Sequence, residues 1–506
     1  MNNKIVNALL TLLLIVTIPA CEFPQQGLDN QTKTSHHIDV EKRKGRAVID
    51  LKPYSVTPLL LKKTADFDAV EVFPLISSED QLEGSPGFVY GGSADGMGLL
   101  KSGSGYTLLV NHEDNFSVSR IHLDKSFRPN SGEYILNSNG GIWRLCSATL
   151  ATPEEHGFGP LYLTCGESGP ESQTHGINPY ADPNDAAFSQ AIPAFGRWSA
   201  ENAVPLPKTA FPQRTVVLIG DDDSGAAGGQ LAMYLTDAGN AGDLAGEKNN
   251  EATASVYVLR RTDLNTREMD LQEGQPADVE FALISNSKDI KQMTGAQINA
   301  KSTEVRSLAF GRVEDIDYRK GSADGGREIY FNVTGQSGNS ARSKYGRVYK
   351  LTLNTKDPLK GVLTLILDGD AANGKARDFQ NPDNILVTEN YAYIQEDPNT
   401  YGDEQHDAYV YQYNLETGNL AKVFELNHHR DNPELRDKFQ STSTRGNWEY
   451  GALIDISDII GVENTFLMNI QPHTWRREEF RNPDRGSIRV NENQGSQTVV
   501  IRGLPR

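Results

Sequence analysis

The sequence predicts an all-β fold, a β-propeller of about six blades with long inserted loops. Many short runs alternate apolar and polar residues and stop at Gly, Asp, Asn or Pro, which is the pattern of strands joined by turns. Helical periodicity is scarce, and "TGAQINAKSTEV" is its best example. Because nearly twenty such strands follow one another without a low-complexity linker, a closed radial array is favoured over a single sandwich. Two packed sandwiches are the alternative, since no repeated motif such as Trp-Asp marks the blades.

The chain opens with an export signal. A charged start, the apolar run "IVNALLTLLLIVTIPA" and then Cys21 form the pattern of a cleaved leader, and "IPAC" is typical of a lipobox. Residues 1–21 are therefore predicted to be a lipoprotein signal peptide, with Cys21 as the lipidation site. A spanning anchor is disfavoured because the apolar run is shorter than the roughly 20 residues that a transmembrane helix needs. We expect an exported periplasmic or cell-surface lipoprotein of the outer membrane, attached to the membrane by its lipid anchor.

The next segment, residues 22–45, is polar and has almost no apolar side chains, so it cannot bury enough surface to offset its ordering entropy. It is predicted to be a disordered tether, followed by one domain at residues 46–506. The net charge of −18 argues against nucleic acid as a partner, because a phosphate backbone is bound by Lys and Arg. The same charge suits a protein that holds cations, and we expect it to be a monomer.

The predicted strands follow one another to the end of the chain. In order they are "YTLLVNH", "GIWRLCSATL", "PLYLTC", "RTVVLIG", "ASVYVLRR", "EIYFNVTG", "RVYKLTL", "VLTLILDG", "NILVTENYAYIQ", "DAYVYQYN", "TFLMNI" and "TVVIRG". Acidic residues collect in the short loops between them, as in "GDDDSG" and "QEDPNTYGDEQHD". Strand ends that carry acids are therefore the first places to look for chemistry.

Apart from Cys21, the chain has two cysteines, Cys146 and Cys165. The segment "RLCSATLATPEEHGFGPLYLTC" reads as a hairpin that would place them roughly opposite each other. In an oxidising compartment they could form a disulfide. The alternative is a thiolate ligand for a transition metal, with nearby carboxylates completing its coordination shell.

Carboxylates at strand ends are candidate cation ligands. Glu201 follows an aromatic residue in "GRWSAENA", and "VVLIGDDDSG" runs a strand into Asp221, Asp222 and Asp223. Three consecutive acids repel one another unless solvent or a cation screens them, so this cluster is either exposed or bound to metal. Oxygen donors at this density suit calcium or magnesium. An Asp-rich turn that binds nothing is the alternative for each such loop.

Further along, "LAFGRVEDIDYR" places Arg312 and Glu314 on the same side of a strand, because side chains alternate. They could form an ion pair, or Arg312 could offer a planar fork to a phosphate beside a metal ligand. Asp383 and Asn384 precede one strand, and Glu396 ends the next. We expect Asp383 and Glu396 to bind metal.

The last polar groups of interest lie near the C-terminal end. Asp397 follows Glu396, Glu449 occurs in "NWEYGALIDISD", and Gln471 and His473 occur in "LMNIQPHTW". The chain has no Gly-x-Ser-x-Gly elbow, no Gly-x-x-x-x-Gly-Lys-Ser/Thr loop and no His-x-x-x-His zinc pair. Any catalysis is therefore predicted to be centred on a metal.

This string of motifs resembles the PhoX-type alkaline phosphatases, exported enzymes that depend on calcium and iron. The similarity runs in order along most of the chain. The matching segments are "SADGMGLL", "LLVNHED", "RLCSATLATPEEHGFGPLYLTCGES", "FGRWSAENA", "VVLIGDDDSG", "GRVED" and "FQNPDNILV". Ala200 and Val313 stand where the family has His and Pro, so the chain would be a divergent member.

The resemblance implies a β-propeller with a mixed cluster of Fe3+ and Ca2+ near its axis. Cys165 would be the thiolate that bridges two ferric ions. The other metal ligands at this centre would be Glu201 and Glu314, with Asp222 or Asp223 as a neighbour. Arg312 and Asn111 would hold the oxygens of the phosphate.

The resulting hypothesis is an exported phosphatase that hydrolyses small organic phosphate esters, specifically monoesters, through a metal-bound oxo or hydroxo nucleophile. Adjacent cations can stabilise the charge that develops on the phosphoryl group. Two alternatives stay open. One is a calcium-binding propeller that binds a ligand or partner without catalysis, and the other is a metal-dependent lactone or phosphodiester hydrolase.

Overall fold

The structure, a computed structural model, describes residues 49–238, 244, 254–322, 324–490 and 492–506. These residues belong to the compact unit Val48–Arg506. The predicted signal peptide with Cys21 and the predicted tether lie outside the described residues. Within the described ranges, no helix is long and apolar enough to cross a bilayer.

The described residues form short strands with few helices, so the predicted all-β fold is confirmed. The strands before the first blade are β1 (Leu61–Lys63) and β2 (Glu71–Ser77). The first blade contains β3 (Ala94–Ser102), β4 (Gly105–His112), β5 (Ser117–Leu123) and β6 (Pro129–Leu136). The second contains β7 (Leu145–Ala151), β8 (Leu161–Gly166) and β9 (Thr174–Ile177). The third contains β10 (Ala200–Pro205), β11 (Arg214–Asp221), β12 (Gln230–Asp237) and β13 (Ser255–Arg261).

The second half of the ring begins after β14 (Pro276–Asn286), which joins two blades. The fourth blade contains β15 (Val313–Tyr318), β16 (Glu328–Val333), β17 (Arg347–Leu353) and β18 (Lys360–Asp368). The fifth contains β19 (Pro382–Val387), β20 (Tyr391–Glu396), β21 (Tyr409–Asn414) and β22 (Leu420–Leu426). The sixth contains β23 (Glu449–Asp455), β24 (Thr465–Gln471) and β25 (Gln497–Arg502). The helices are α1 (Ser138–Gly141), α2 (Ser287–Ile290), α3 (Gly295–Glu304), α4 (Pro433–Phe439) and α5 (Ser457–Ile460).

The first strands of the blades form a closed ring around a central axis. These strands are β3, β7, β10, β15, β19 and β23, each in contact with the next, and β23 returns to β3. Each blade is a set of antiparallel strands in sequence order outward from this ring, and β14 links the third and fourth blades into one nine-stranded sheet. The molecule is thus a β-propeller in which we count six blades around the ring.

The ring is closed by strands from both ends of the described chain. β2 pairs antiparallel with β25, with Val72 opposite Ile501, and so completes the sixth blade. β1 adds to the outer edge of the fifth blade, where Leu61 lies opposite Leu426. Because the N-terminal strands lie in the C-terminal blades, separation of the last blade from the first requires breaking a strand pair.

Apolar side chains fill the spaces between blades and within them. Between the third and fourth blades, for example, Phe331 and Tyr349 stack with ring centroids 5.2 Å apart, and Phe310 packs edge-on against both. The predicted helix forms as α3, and Thr294 and Gln297 cap it reciprocally. This core holds the six inner strands rigidly around the axis, where the polar residues lie.

Candidate metal centre

Every inner strand has a break in register at the same place, near its first residues. The breaks lie between Ala94 and Met97, Leu145 and Ala148, Ala200 and Ala203, Val313 and Ile316, Pro382 and Ile385, and Tyr450 and Leu453. A β-bulge leaves residues of one strand without a partner and redirects their side chains. In five of these six bulges the first redirected residue is an acid or a cysteine, namely Asp95, Cys146, Glu201, Glu314 and Asp383.

The second strands of four blades supply further acids. An antiparallel second strand ends at the edge where the first begins, so the residue after it faces the same end of the ring. The acids at this position are Glu113, Glu167, Asp222 and Asp397, which follow β4, β8, β11 and β20. Glu449, the first residue of β23, completes the set.

These side chains form one continuous cluster. Ligand atoms lie within 4.8 Å of one another in four groups, which are Asp95, Cys146 and Glu201; Glu113, Cys146 and Glu167; Glu201, Glu314 and Asp383; and Asp383, Asp397 and Glu449. Cys146, Glu201 and Asp383 each belong to two groups, so the groups are joined in a row. We call this set, together with Asp222, the axial cluster.

The electrostatics of the axial cluster favour bound cations. Burial, together with repulsion from neighbouring carboxylates, raises the pKa of Glu201 to about 8. Burial and repulsion also raise the pKa values of Asp95, Glu167, Glu314, Asp383 and Glu449 well above their ordinary range. Carboxylates that are buried this closely must be protonated or neutralised by positive charge.

Two arginines lie against the cluster. Arg312 places Nε 2.6 Å from Oδ1 of Asp222, donates from a terminal nitrogen to Oδ2 at 2.9 Å, and approaches Glu314 at 3.3 Å. Arg144 donates to Oε1 of Glu113 at 2.5 Å. These two guanidiniums balance only a small part of the charge that nine ionised carboxyl groups would carry, so protons or cations must neutralise the rest.

The donor set fits a mixture of transition metal and calcium. Carboxylate oxygens suit calcium, whereas a thiolate suits a softer metal such as iron. Cys146 donates from Sγ to Oε2 of Glu167 at 3.3 Å, and burial raises the pKa of this thiol above its ordinary value. Oδ1 of Asp95 is buried and has no hydrogen-bond partner. Such an oxygen is a ready ligand for a cation.

The structure corrects the prediction that Cys165 is the metal-binding cysteine. Cys165 lies in β8, the second strand of its blade, and its side chain is buried among apolar residues between blades. Its Sγ is 3.1 Å from Oγ1 of Thr174, and it belongs to none of the ligand groups formed by the described residues. The thiol in the axial cluster is that of Cys146, on the inner strand β7. Both cysteines are free, so the alternative of a disulfide is also wrong.

Asn111 does not have the role expected for it. Its amide nitrogen donates to the backbone carbonyls of Leu145 and Cys146, and its Oδ1 accepts a hydrogen bond of 2.5 Å from Tyr162. The side chain is fully buried. With both N–H groups and the oxygen in use, Asn111 has no donor for a phosphate, and it instead holds β4 against β7.

Two of the predicted metal ligands also have structural roles. Oδ1 of Asp223 accepts from the backbone of Gly225, and its other oxygen accepts from Asn299 at 3.1 Å, as expected of a turn aspartate. Glu396 accepts from the backbone N–H groups of Gln380 and Tyr409 at 2.6 and 2.7 Å. Neither residue belongs to a ligand group among the described residues.

Of the other predicted ligands, the structure brings Glu201, Glu314 and Asp383 into one group and places Asp222 beside them through Arg312. Six members of the axial cluster were not among the ligands predicted from the sequence, namely Asp95, Glu113, Cys146, Glu167, Asp397 and Glu449. A sequence signal for several of them exists. Pairs of polar residues at strand starts, as in "CSAT", "ENAV", "EDID" and "DNIL", mark the bulges.

A cleft with a volume of about 580 Å³ opens at the cluster. Arg312, Asp222 and Glu167 line it together with backbone and hydroxyl groups of Ser168 and Ser199. On the inner side, Nδ2 of Asn384 donates to Oγ of Ser147 at 2.6 Å, which joins opposite blades across the axis. The axial cluster is therefore reached from one end of the propeller and has a polar floor at the other.

No protein-family model and no curated protein matches this sequence. The solved structures that match include the catalytic domain of the GH62 α-L-arabinofuranosidase of Coprinopsis cinerea, with 11% identity over 70% of this chain and 95% of that chain and a TM-score of 0.29. The β-propeller domain of the Trilobed protease of Pyrococcus furiosus matches at 8% identity, over 76% of this chain and 92% of that chain, with a TM-score of 0.30. The polysaccharide lyase Uly1 matches at 8% identity, over 85% of this chain and 94% of that chain, with a TM-score of 0.33.

Proposed function

We propose that this propeller is an exported, metal-dependent phosphatase that hydrolyses phosphate monoesters, and a divergent member of the PhoX-type family. One observation carries the proposal. Nine carboxyl groups and one thiol from all six blades converge at one end of the axis, beside a partly exposed arginine. Such a site can hold several cations next to a group that binds a phosphate oxygen.

The residues of the axial cluster would divide the cations between them. Cys146, with Asp95, Glu113, Glu167 and Glu201 around it, would hold iron. Glu314, Asp383, Asp397 and Glu449 offer only oxygens and would hold calcium. When bound, these ions supply positive charge where negative charge develops on the phosphoryl group.

Arg312 is the residue proposed to bind the phosphate. Its guanidinium is rigid and planar, and one terminal nitrogen donates to Oδ1 of Asn399 at 2.9 Å, which leaves the second N–H of that nitrogen for a phosphate oxygen. The bidentate contact with Asp222 and the contact with Glu314 hold the side chain at the wall of the cleft. The backbone at Arg312 has a φ of 73°, an uncommon value for a residue other than glycine. The cleft thus presents a fixed cation to a substrate that enters from solvent.

The two cysteines provide the experiment. Full-length protein purified without chelators is analysed for iron and calcium, and its hydrolysis of a chromogenic phosphate monoester is measured. We expect Cys146→Ser to lose iron and to reduce turnover at least 100-fold. Cys165→Ser is the matched control, because this thiol is equally buried but lies outside the cluster. It should retain both metal and activity.

Other results would favour the alternatives. Protein that contains calcium without iron, and that is inert on all phosphate esters, would contradict the proposal and support a binding propeller. Activity on lactones or phosphodiesters with none on monoesters would contradict the choice of substrate. A panel of these three substrate classes, assayed on the same preparation, separates the cases.

A further inference from the structure

We propose that Arg144 is a second phosphate-binding residue, which acts together with Arg312 on the oxygens of one phosphate group. This inference rests on the proposed function and names a further residue of the same site. The arrangement of the inner strands, the contacts of Arg144 and its exposure to solvent each support it.

Arg144 and Arg312 occupy equivalent positions in two blades. Arg144 directly precedes β7 and stands two residues before Cys146, whereas Arg312 directly precedes β15 and stands two residues before Glu314. The blade that begins with β10 lies between these two blades in the ring. Both arginines therefore emerge at the same end of the propeller, on either side of Glu201.

Glu167 connects the two arginines. Its backbone N–H donates to the carbonyl of Arg144 at 2.8 Å, and its side chain lines the cleft together with Arg312. The backbone N–H of Arg144 also donates to Oγ of Ser168, which lines the same cleft, at 2.9 Å. The backbone of Arg144 is thus hydrogen-bonded to two residues of the wall of the cleft, Glu167 and Ser168.

The guanidinium of Arg144 has donors to spare. Its side chain is 43% exposed, while that of its partner Glu113 is 8% exposed. Among the contacts of the described residues, one terminal nitrogen donates to Glu113 and the other N–H groups have no acceptor. An arginine needed only to neutralise Glu113 would be expected to lie over the carboxylate and away from solvent. The geometry instead leaves one edge of the fork open to an incoming anion.

Two arginines on either side of Glu201 suit a phosphate monoester. Its doubly charged group presents three oxygens that are not bonded to carbon, more than a single guanidinium can bind. Each arginine would donate to a different oxygen of the group, and cations held by the cluster would supply further positive charge. A carboxylate substrate has two oxygens and one charge, so it would leave some of these donors without an acceptor.

The test measures binding of inorganic phosphate to the metal-loaded, full-length protein, by calorimetry and as competitive inhibition of ester hydrolysis. We expect Arg144→Gln to weaken phosphate binding about 10-fold or more, the loss expected for one charge-assisted contact, with iron and calcium content unchanged. Arg144→Lys should recover part of this loss, because it restores charge without the fork. Arg312→Gln should weaken binding to a similar extent.

Arg430→Gln is the matched control, because Arg430 also pairs with a buried acid, Asp407, but lies in the fifth blade, away from the cleft. It should leave phosphate binding unchanged.

Wild-type affinity for phosphate in Arg144→Gln, or a loss of phosphate binding that follows a loss of metal, would overturn the inference. If the wild type binds phosphate with the expected dependence on Arg144 but hydrolyses no ester, the proposed function fails and the inference stands. If Arg144→Gln binds normally in an active enzyme, the inference alone fails.

Discussion

At the scale of single residues, the position of a side chain in its blade decides its role more than its chemical type does. Cys146 and Cys165 are both buried thiols in adjacent strands of one blade. Only Cys146 is in an inner strand and in a bulge, so only it faces the axis. Glu396 and Asp397 show the same contrast, since Glu396 holds backbone N–H groups while Asp397 joins the axial cluster.

Glu201 is the residue whose loss should affect the most cations, because it belongs to two ligand groups. We expect Glu201→Gln to lower the content of both iron and calcium and to reduce hydrolysis at least 100-fold. Cys165→Ser, which alters a buried thiol outside the cluster, serves again as the control. Metal analysis of both variants checks the prediction, and normal metal content in Glu201→Gln would contradict it.

The buried His156, which lies outside the axial cluster, predicts how the stability of the fold depends on pH. It is buried in the hairpin between β7 and β8, and its Nδ1 accepts a hydrogen bond of 3.0 Å from the backbone N–H of Thr152. Burial lowers the pKa of His156 to about 4. Because the folded pKa lies below the unfolded value of about 6.5, the neutral ring stabilises the fold above pH 6.5, and this contribution is lost as the pH falls toward 4.

The expected loss for His156 is about 2 kcal/mol between pH 7.5 and pH 5. His156→Gln has no titrating ring, so its free energy of unfolding should depend less on pH over this interval. Denaturant titrations of both proteins at the two pH values measure the difference. Equal pH dependence in the two proteins would show that His156 does not titrate in this way.

At the scale of elements, the repeated bulge explains what the sequence could and could not predict. The strands, their order and helix α3 follow from apolar alternation, helical periodicity and turn residues. Alternation places residues on two faces of a flat strand, however, and a bulge breaks that rule. Glu201, Glu314 and Asp383 could therefore be predicted as acids at strand starts. The bulge at Cys146 could not be predicted, nor could the contacts that occupy the amide of Asn111, so Cys165 was predicted as the metal ligand and Asn111 as a phosphate-binding residue.

Gly96 shows why the inner strands can approach so closely. A Cβ at this position would lie 2.4 Å from the backbone nitrogen of Ala148 and 2.5 Å from Oδ1 of Asn111. Neither atom can move without disturbing a bulge or a buried hydrogen bond. We expect Gly96→Ala to lower the free energy of unfolding by about 3 kcal/mol, in the range of severe overpacking.

The same substitution should also reduce metal content, because Asp95 and Cys146 flank the point of contact. Gly103→Ala is the control for stability, although its φ of 55° adds some strain, because no atom lies within 4 Å of a Cβ there. Denaturant unfolding and metal analysis measure both effects. Full stability of Gly96→Ala would mean that β3 and β7 do not pack as tightly as described.

At the scale of the whole molecule, the ring and the cluster depend on each other. All six inner strands supply ligands, so the cluster exists only when the ring is closed, and no pair of adjacent strands contains it. The sequence could predict a propeller but not which residues would meet, because ligands more than 300 residues apart, such as Asp95 and Glu449, are brought together only by ring closure. Ring closure brings the carboxylates of the axial cluster together, and their mutual repulsion opposes closure.

Removal of metal should therefore destabilise the entire propeller rather than one part of it. Cations that bind only the folded state stabilise it by mass action, about 4 kcal/mol at a concentration 1,000 times the dissociation constant. Without them, repulsion among nine carboxyl groups acts on every blade at once. We expect chelation to lower the thermal midpoint by about 5 °C or more in a single transition, given the usual relation between stability and midpoint for a domain of this size.

The double variant Glu201→Gln, Asp383→Asn separates repulsion from bound metal. It removes two shared carboxylates, so the chelated variant should unfold at a higher temperature than the chelated wild type. The metal-loaded variant should unfold at a lower temperature than the metal-loaded wild type, because it has lost ligands. Calorimetry of the four samples tests both signs together. A chelated wild type with an unchanged midpoint would mean that the acids of the axis are protonated and hold no cations, which would leave the proposed chemistry without its charge.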